Sequence, residues 1–97
     1  TTDGDCRVGP HWLDRIARCY AQTGARLISG PVTFTRAAGP FAALQTVEFA
    51  SLIGSGACTL ALGYPTMCNG ANLAYERAAF TAVGGFAGVD HLASGDD

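Results

Sequence analysis
Residues 49–75, FASLIGSGACTLALGYPTMCNGANLAY, contain no charged side chain, and that limits what the chain can become. A run this apolar is a membrane span, a buried element or an interface. Gly54, Gly56, Gly63 and Pro65 divide it into pieces shorter than the roughly 20 apolar residues that a spanning helix requires. The stretch is therefore expected to be buried or to lie on an interface, and the glycines are expected to interrupt any helix that enters it.

The flanking sequence supplies the other elements. Thr1 to Asp5 suits the end of a strand running into a loop, with both Asp side chains at its exit. Gly9-Pro10 offers a helix start, Trp12, Ile16 and Tyr20 with Leu13 repeat at helical spacing, and Gly24 supplies a stop. Ala25 to Thr35 reads as a strand bent at Gly30-Pro31. A second helix is expected from Pro40 to about Ile53, with Phe41, Leu44 and Leu52 on one side and Phe49 and Ile53 turning the apolar surface round. Asn69 to Tyr75 suits a loop and short strand, Glu76 to Val83 a short helix ended by Gly84-Gly85, and 87–97 a loop reaching an acidic terminus. Alternating strand and helix signals make α/β the expected class.

Charge excludes one class of partner. Five of the 8 acids (Asp3, Asp5, Asp90, Asp96, Asp97) lie near the ends, and the 6 basic residues, all Arg, are scattered through the interior. A nucleic-acid surface needs basic residues gathered on one face. Cys6, Cys19, Cys58 and Cys68 show neither a C-x-x-C pair nor a zinc-type Cys/His spacing, so reduced and mostly buried thiols are expected, with a Cys58–Cys68 disulfide as the alternative. At 97 residues the chain fits one small domain at most, and its acidic ends suggest a piece of a longer protein.

Three short segments carry candidate chemistry. Asp3-Gly4-Asp5 places two carboxylates one residue apart around a Gly, which lets oxygen ligands reach a hard divalent cation; the same residues are ordinary turn formers. Asp96-Asp97 sets two acids side by side, a route to a raised carboxyl pKa and a general base, or else a solvated terminus. Cys68-Asn69-Gly70-Ala71-Asn72 joins two carboxamides through small residues and suits a loop against a substrate, or a plain turn. His11 and His91 lack partners at metal-ligand spacing, Trp12 reads as core, and Glu48 reads as a flank residue.

In order and separation, TTDGDCRVGPHWLDRI, CNGANLAYERAAFTAVGGF and ASGDD resemble the family 2 glycosyltransferases over nearly the whole chain. The resemblance implies a GT-A fold, a Rossmann-like α/β arrangement of nucleotide-diphospho-sugar transferases. Residues 1–97 would form one partial catalytic domain, an incomplete sheet with flanking helices, from the Asp-x-Asp motif to the base motif. It implies a divalent metal (Mn²⁺ or Mg²⁺) on Asp5 and Asp3, donor binding by Asp3, Gly4 and Asp5, and a donor/acceptor cleft shaped by Asn69, Gly70, Ala71 and Asn72.

Asp97 matches the family's catalytic base, with Asp96 the alternative, and Asp96 stands where the family has Glu. The implied partners are a nucleotide-diphospho-sugar donor, a glycan or lipid-linked hydroxyl acceptor, and the nucleotide-binding N-terminal half of the same domain. The implied location of the parent protein is the cytoplasmic face of the cell membrane. The competing reading is a non-enzymatic cation-binding or membrane-surface module.

Overall fold
The structure is a computed structural model that describes residues 1–35, 38–89 and 91. Helix α1 runs from Trp12 to Thr23. It begins two residues later than Pro10 suggested, because the Trp12 N–H donates to the Gly9 carbonyl (3.1 Å) and leaves Pro10 in a turn ahead of the helix. Gly24 ends it as expected: its φ of 64° is the left-handed conformation that lets its N–H reach the Tyr20 carbonyl. The half-buried face is Trp12, Ile16 and Cys19, at i, i+4 and i+7. Tyr20 and Leu13, placed on that face by the sequence reading, are exposed.

Strand β1 is Leu27–Ser29, much shorter than the expected 25–35 segment. It pairs antiparallel with β2, Leu73–Tyr75, with Leu27 opposite Tyr75 and Ser29 opposite Leu73. One more bond, Gly30 N–H to the Asn72 carbonyl (2.8 Å), extends the pairing, and Pro31, with no N–H, cannot continue it. The other edge of β2 is met by Thr1: the Leu73 N–H donates to the Thr1 carbonyl, and the Thr1 amino group donates to the Leu73 carbonyl. Residues 1–5 thus contribute one strand-like pairing and then a turn, with no strand of their own.

Helix α2 spans Pro40–Ala61, well past the expected end at Ile53. Gly54 and Gly56 do not break it, since a helical glycine costs only about 1 kcal/mol relative to Ala. Gly56 instead serves packing: it is buried, and a Cβ there would lie 3.0 Å from Met67 Cγ. The inward face runs through Ala42, Thr46, Phe49, Ile53, Gly56 and Thr59. Phe41 and Leu44, expected together with Leu52 on one side of the helix, are 72% and 66% exposed, and Leu52 is also exposed. A helix with large apolar side chains on both of its faces gives no clear pattern from which to choose the inner one. Among the described residues, no helix is long and apolar enough to cross a membrane.

A 3₁₀ turn, Gly70–Asn72, leads into β2, and helix α3, Arg77–Ala82, follows, both close to expectation. Gly84 and Gly85, with φ of 87° and 58°, end α3, and Phe80 packs between Tyr75 (5.1 Å) and Phe86 (5.0 Å). No disulfide joins the four cysteines, and Cys58 is exposed where a mostly buried set was expected.

The described fold is therefore mixed helices around a small antiparallel sheet. Its buried apolar core is Ala71 and Leu73 alone among the described residues. The accessible surface, 7701 Å², compares with about 5,200 Å² for a compact monomer of this mass. The radius of gyration, 15.0 Å, compares with about 12.5 Å for a compact domain of this length. Much of the apolar surface, α2 above all, has no partner within the described residues.

Candidate functional site
Thr1 anchors the start of the site, because its backbone pairs with Leu73 and its hydroxyl donates to the Gly70 carbonyl (2.6 Å). The chain then reverses through Gly4-Asp5, closed by Cys6 N–H to the Asp3 carbonyl (3.1 Å). The turn gathers Asp3, Asp5 and Cys6 so that one ligand atom from each lies within 4.8 Å of the others. Both carboxylates are exposed and Cys6 is half-buried. Two carboxylates this close suit a hard divalent cation with oxygen ligands, and the thiol adds a softer donor beside them.

Asn69, Ala71 and Asn72 line the same site from a second turn. Asn69 Oδ1 accepts from the Ala71 N–H (2.9 Å) and starts the 3₁₀ turn, as a capping side chain does. Asn72 sits at a junction: its Oδ1 accepts from Trp12 Nε1 (2.9 Å), its Nδ2 donates to the Pro31 carbonyl (2.9 Å), and its carbonyl accepts from Gly30. One side chain thus ties α1, the segment after β1 and the turn together. The arrangement requires glycine at 30, where a Cβ would stand 2.2 Å from Asn72 Nδ2.

These elements enclose a cleft of about 680 Å³ whose walls include Asp3, Asp5, Cys6, Arg7, Trp12, Asn69, Ala71 and Asn72. Val8, Gly9, residues 31–35 and Phe49 complete it, and the rings of Phe34 and Phe49 meet at 5.1 Å. The fold brings the Asp-Gly-Asp turn and the Asn turn into one cavity. Gly4 and Gly70 do not line it. Asp96 and Asp97 lie outside the described residues.

Sequence reasoning missed several wall residues. Arg7, one of the scattered basic residues, is the cation lining this cleft among the described residues. Trp12, read as core, is half-buried and acts as a hydrogen-bond donor across the site. Gly30-Pro31 was legible as a break in a strand, but only the position of Asn72 shows why a glycine stands there.

Comparison with known sequences places the whole chain among the glycosyltransferases, since residues 1–97 match the family described as glycosyl transferase family group 2. The chain belongs to that family, whose members are typically inverting and metal-dependent. No curated protein and no solved structure matches it.

Proposed function
We propose that the chain forms part of the catalytic domain of an inverting, metal-dependent glycosyltransferase with a GT-A fold. In this reading it transfers a sugar from a nucleotide-diphospho-sugar to an acceptor hydroxyl. The observation that carries the reading is the shared cleft: Asp3 and Asp5 face the same cavity as Asn69 and Asn72, segments far apart in the chain. The exposed apolar surface of α2 supports the further reading that other strands and helices of the same domain cover it.

Asp5, with Asp3 on the metal or the ribose, would hold Mn²⁺ or Mg²⁺ against the donor diphosphate. The ion supplies charge neutralisation for the departing nucleoside diphosphate. Arg7, which lines the same cleft, would offer a guanidinium to the donor diphosphate. The acceptor oxygen attacks the anomeric carbon as the bond from that carbon to the diphosphate oxygen breaks, and the configuration inverts. Asp97, or Asp96 if the register is one residue earlier, takes the acceptor proton, a contribution of about 10² to 10⁴-fold. The Asn69–Asn72 turn holds the cleft walls in register through its bonds to Trp12 and Pro31. The parent protein is proposed to lie at the cytoplasmic face of the membrane, a reading supported by the uncharged 49–75 stretch and the family resemblance.

Calorimetric titration of UDP and GDP into the full protein chain, with and without manganese, tests the reading. Manganese-dependent nucleotide binding that Asp5→Ala abolishes is the expected result. Manganese binding indifferent to nucleotide would favour a cation-binding module, the alternative that the exposed Asp3/Asp5/Cys6 group makes specific.

A further inference from the structure
The Asp-x-Asp motif accounts for two of the three side chains gathered at residues 3–6, and Cys6 lies outside it. The turn sets its position. The bond from the Cys6 N–H to the Asp3 carbonyl (3.1 Å) closes four residues into a reverse turn, which brings the first and the last of them together. Cys6 Sγ and one carboxylate oxygen each from Asp3 and Asp5 lie within 4.8 Å of one another. Two donors on one transition-metal ion stand at most about 4.5 Å apart. The group therefore already has nearly the spacing that a shared ion would impose.

The surroundings of Cys6 fit that role. It is a free thiol, engaged in no disulfide. Both carboxylates are exposed and Cys6 is half-buried, so of the three residues it is the one best shielded from water. It lines the same cleft as Asp3 and Asp5. Three protein donors leave coordination positions open for substrate oxygens, as catalytic metal sites do. Carboxylates alone suit Mg²⁺ and Mn²⁺, whereas a thiolate selects softer ions such as Co²⁺ and Zn²⁺. One sulfur beside two carboxylates thus changes which metal the site prefers.

We propose that Cys6 is the third protein ligand of the divalent metal and sets its identity, shifting the preference of the site from Mg²⁺ towards thiophilic ions. The inference rests on the reading that Asp3 and Asp5 hold a divalent metal.

The test titrates Co²⁺ and Mg²⁺ separately into the full protein chain, without nucleotide and with a non-thiol reductant. Co²⁺ bound by a thiolate absorbs in the near ultraviolet through sulfur-to-cobalt charge transfer, and Co²⁺ bound by oxygen ligands alone does not. The wild type should develop that band as it binds Co²⁺. Cys6→Ser should lose the band and lower the ratio of Co²⁺ to Mg²⁺ affinity by about tenfold. Asp5→Ala should lose the band too, because one ion needs both residues, whereas Cys58→Ser, at an exposed thiol outside this cleft, should keep it. Cobalt binding without the band in the wild type overturns the proposal, as does a band that survives Cys6→Ser or Asp5→Ala. Loss of Co²⁺ and Mg²⁺ binding together in Cys6→Ser would make Cys6 a structural residue and overturns it as well. The two readings fail differently: Mg²⁺ binding that Asp5→Ala abolishes, with no sulfur band, keeps the metal site and removes Cys6 from it, whereas binding of neither ion removes both.

Discussion

The indole N–H of Trp12 donates to Asn72 Oδ1 across 2.9 Å, joining α1 to the turn that opens β2. Trp12→Phe keeps the ring and loses the donor, leaving a partly buried acceptor unmet, so it should cost about 1 kcal/mol. Asn72→Ala loses the bonds to both Trp12 and Pro31 and should cost about 2 kcal/mol. Urea unfolding followed by circular dichroism measures both. Trp12 is the chain's 1 Trp, so Asn72→Ala should also shift the intrinsic fluorescence, and an unshifted spectrum would show that the bond does not hold the indole.

Gly30 and Asn72 should be coupled. A methyl group at 30 would collide with the Asn72 amide, which two hydrogen bonds hold in place, so Gly30→Ala should cost about 1 to 3 kcal/mol. In the Asn72→Ala background the obstructing amide is gone and the same substitution should cost markedly less. A double-mutant cycle reads the difference, and additive costs would mean that the close approach is not what excludes a side chain at 30.

The two faces of α2 should respond differently. Ile53→Ala removes half-buried hydrocarbon from the inward face and should cost about 1 to 2 kcal/mol, less than full burial would give. Leu44→Ser, on the exposed face, should change stability by less than about 0.5 kcal/mol. Reversed magnitudes in denaturant titrations would place the packed face on the Phe41/Leu44 side.

Asp97→Asn keeps the size of the side chain and removes its basicity, so sugar transfer should fall by about 10² to 10⁴-fold while nucleotide binding stays near the wild-type level. Single-turnover transfer and calorimetry together check it. Loss of activity on Asp96→Asn instead would move the base one position earlier.

What the sequence revealed depended on how local the determining physics was. Helices α1 and α3 were legible because a period of 3.6 and a following glycine are local signals, and Gly24, Gly84 and Gly85 adopt the positive φ that such stops use. The length of α2 is not legible in the sequence because Gly54 and Gly56 read as helix breakers, whereas Gly56 is a contact point for Met67. Its inner face was illegible for a different reason: with Phe41, Leu44, Phe49, Leu52 and Ile53 all apolar, composition assigns no direction. At the cleft, Asp3, Asp5, Asn69 and Asn72 could be picked out by residue type. Their convergence could not, because it depends on a bond from Trp12 and a close approach at Gly30 that leave no periodic trace.

The bonds that close the cleft all span long stretches of chain: Thr1 reaches Leu73, Trp12 reaches Asn72, and Asn72 reaches Pro31, at sequence separations of 72, 60 and 41. Contacts of this kind form late in folding, after the entropy of large loops has been lost. During synthesis the Asp-Gly-Asp turn therefore emerges long before the residues that hold it, and the ligand cavity can come into being only after Leu73 has left the ribosome.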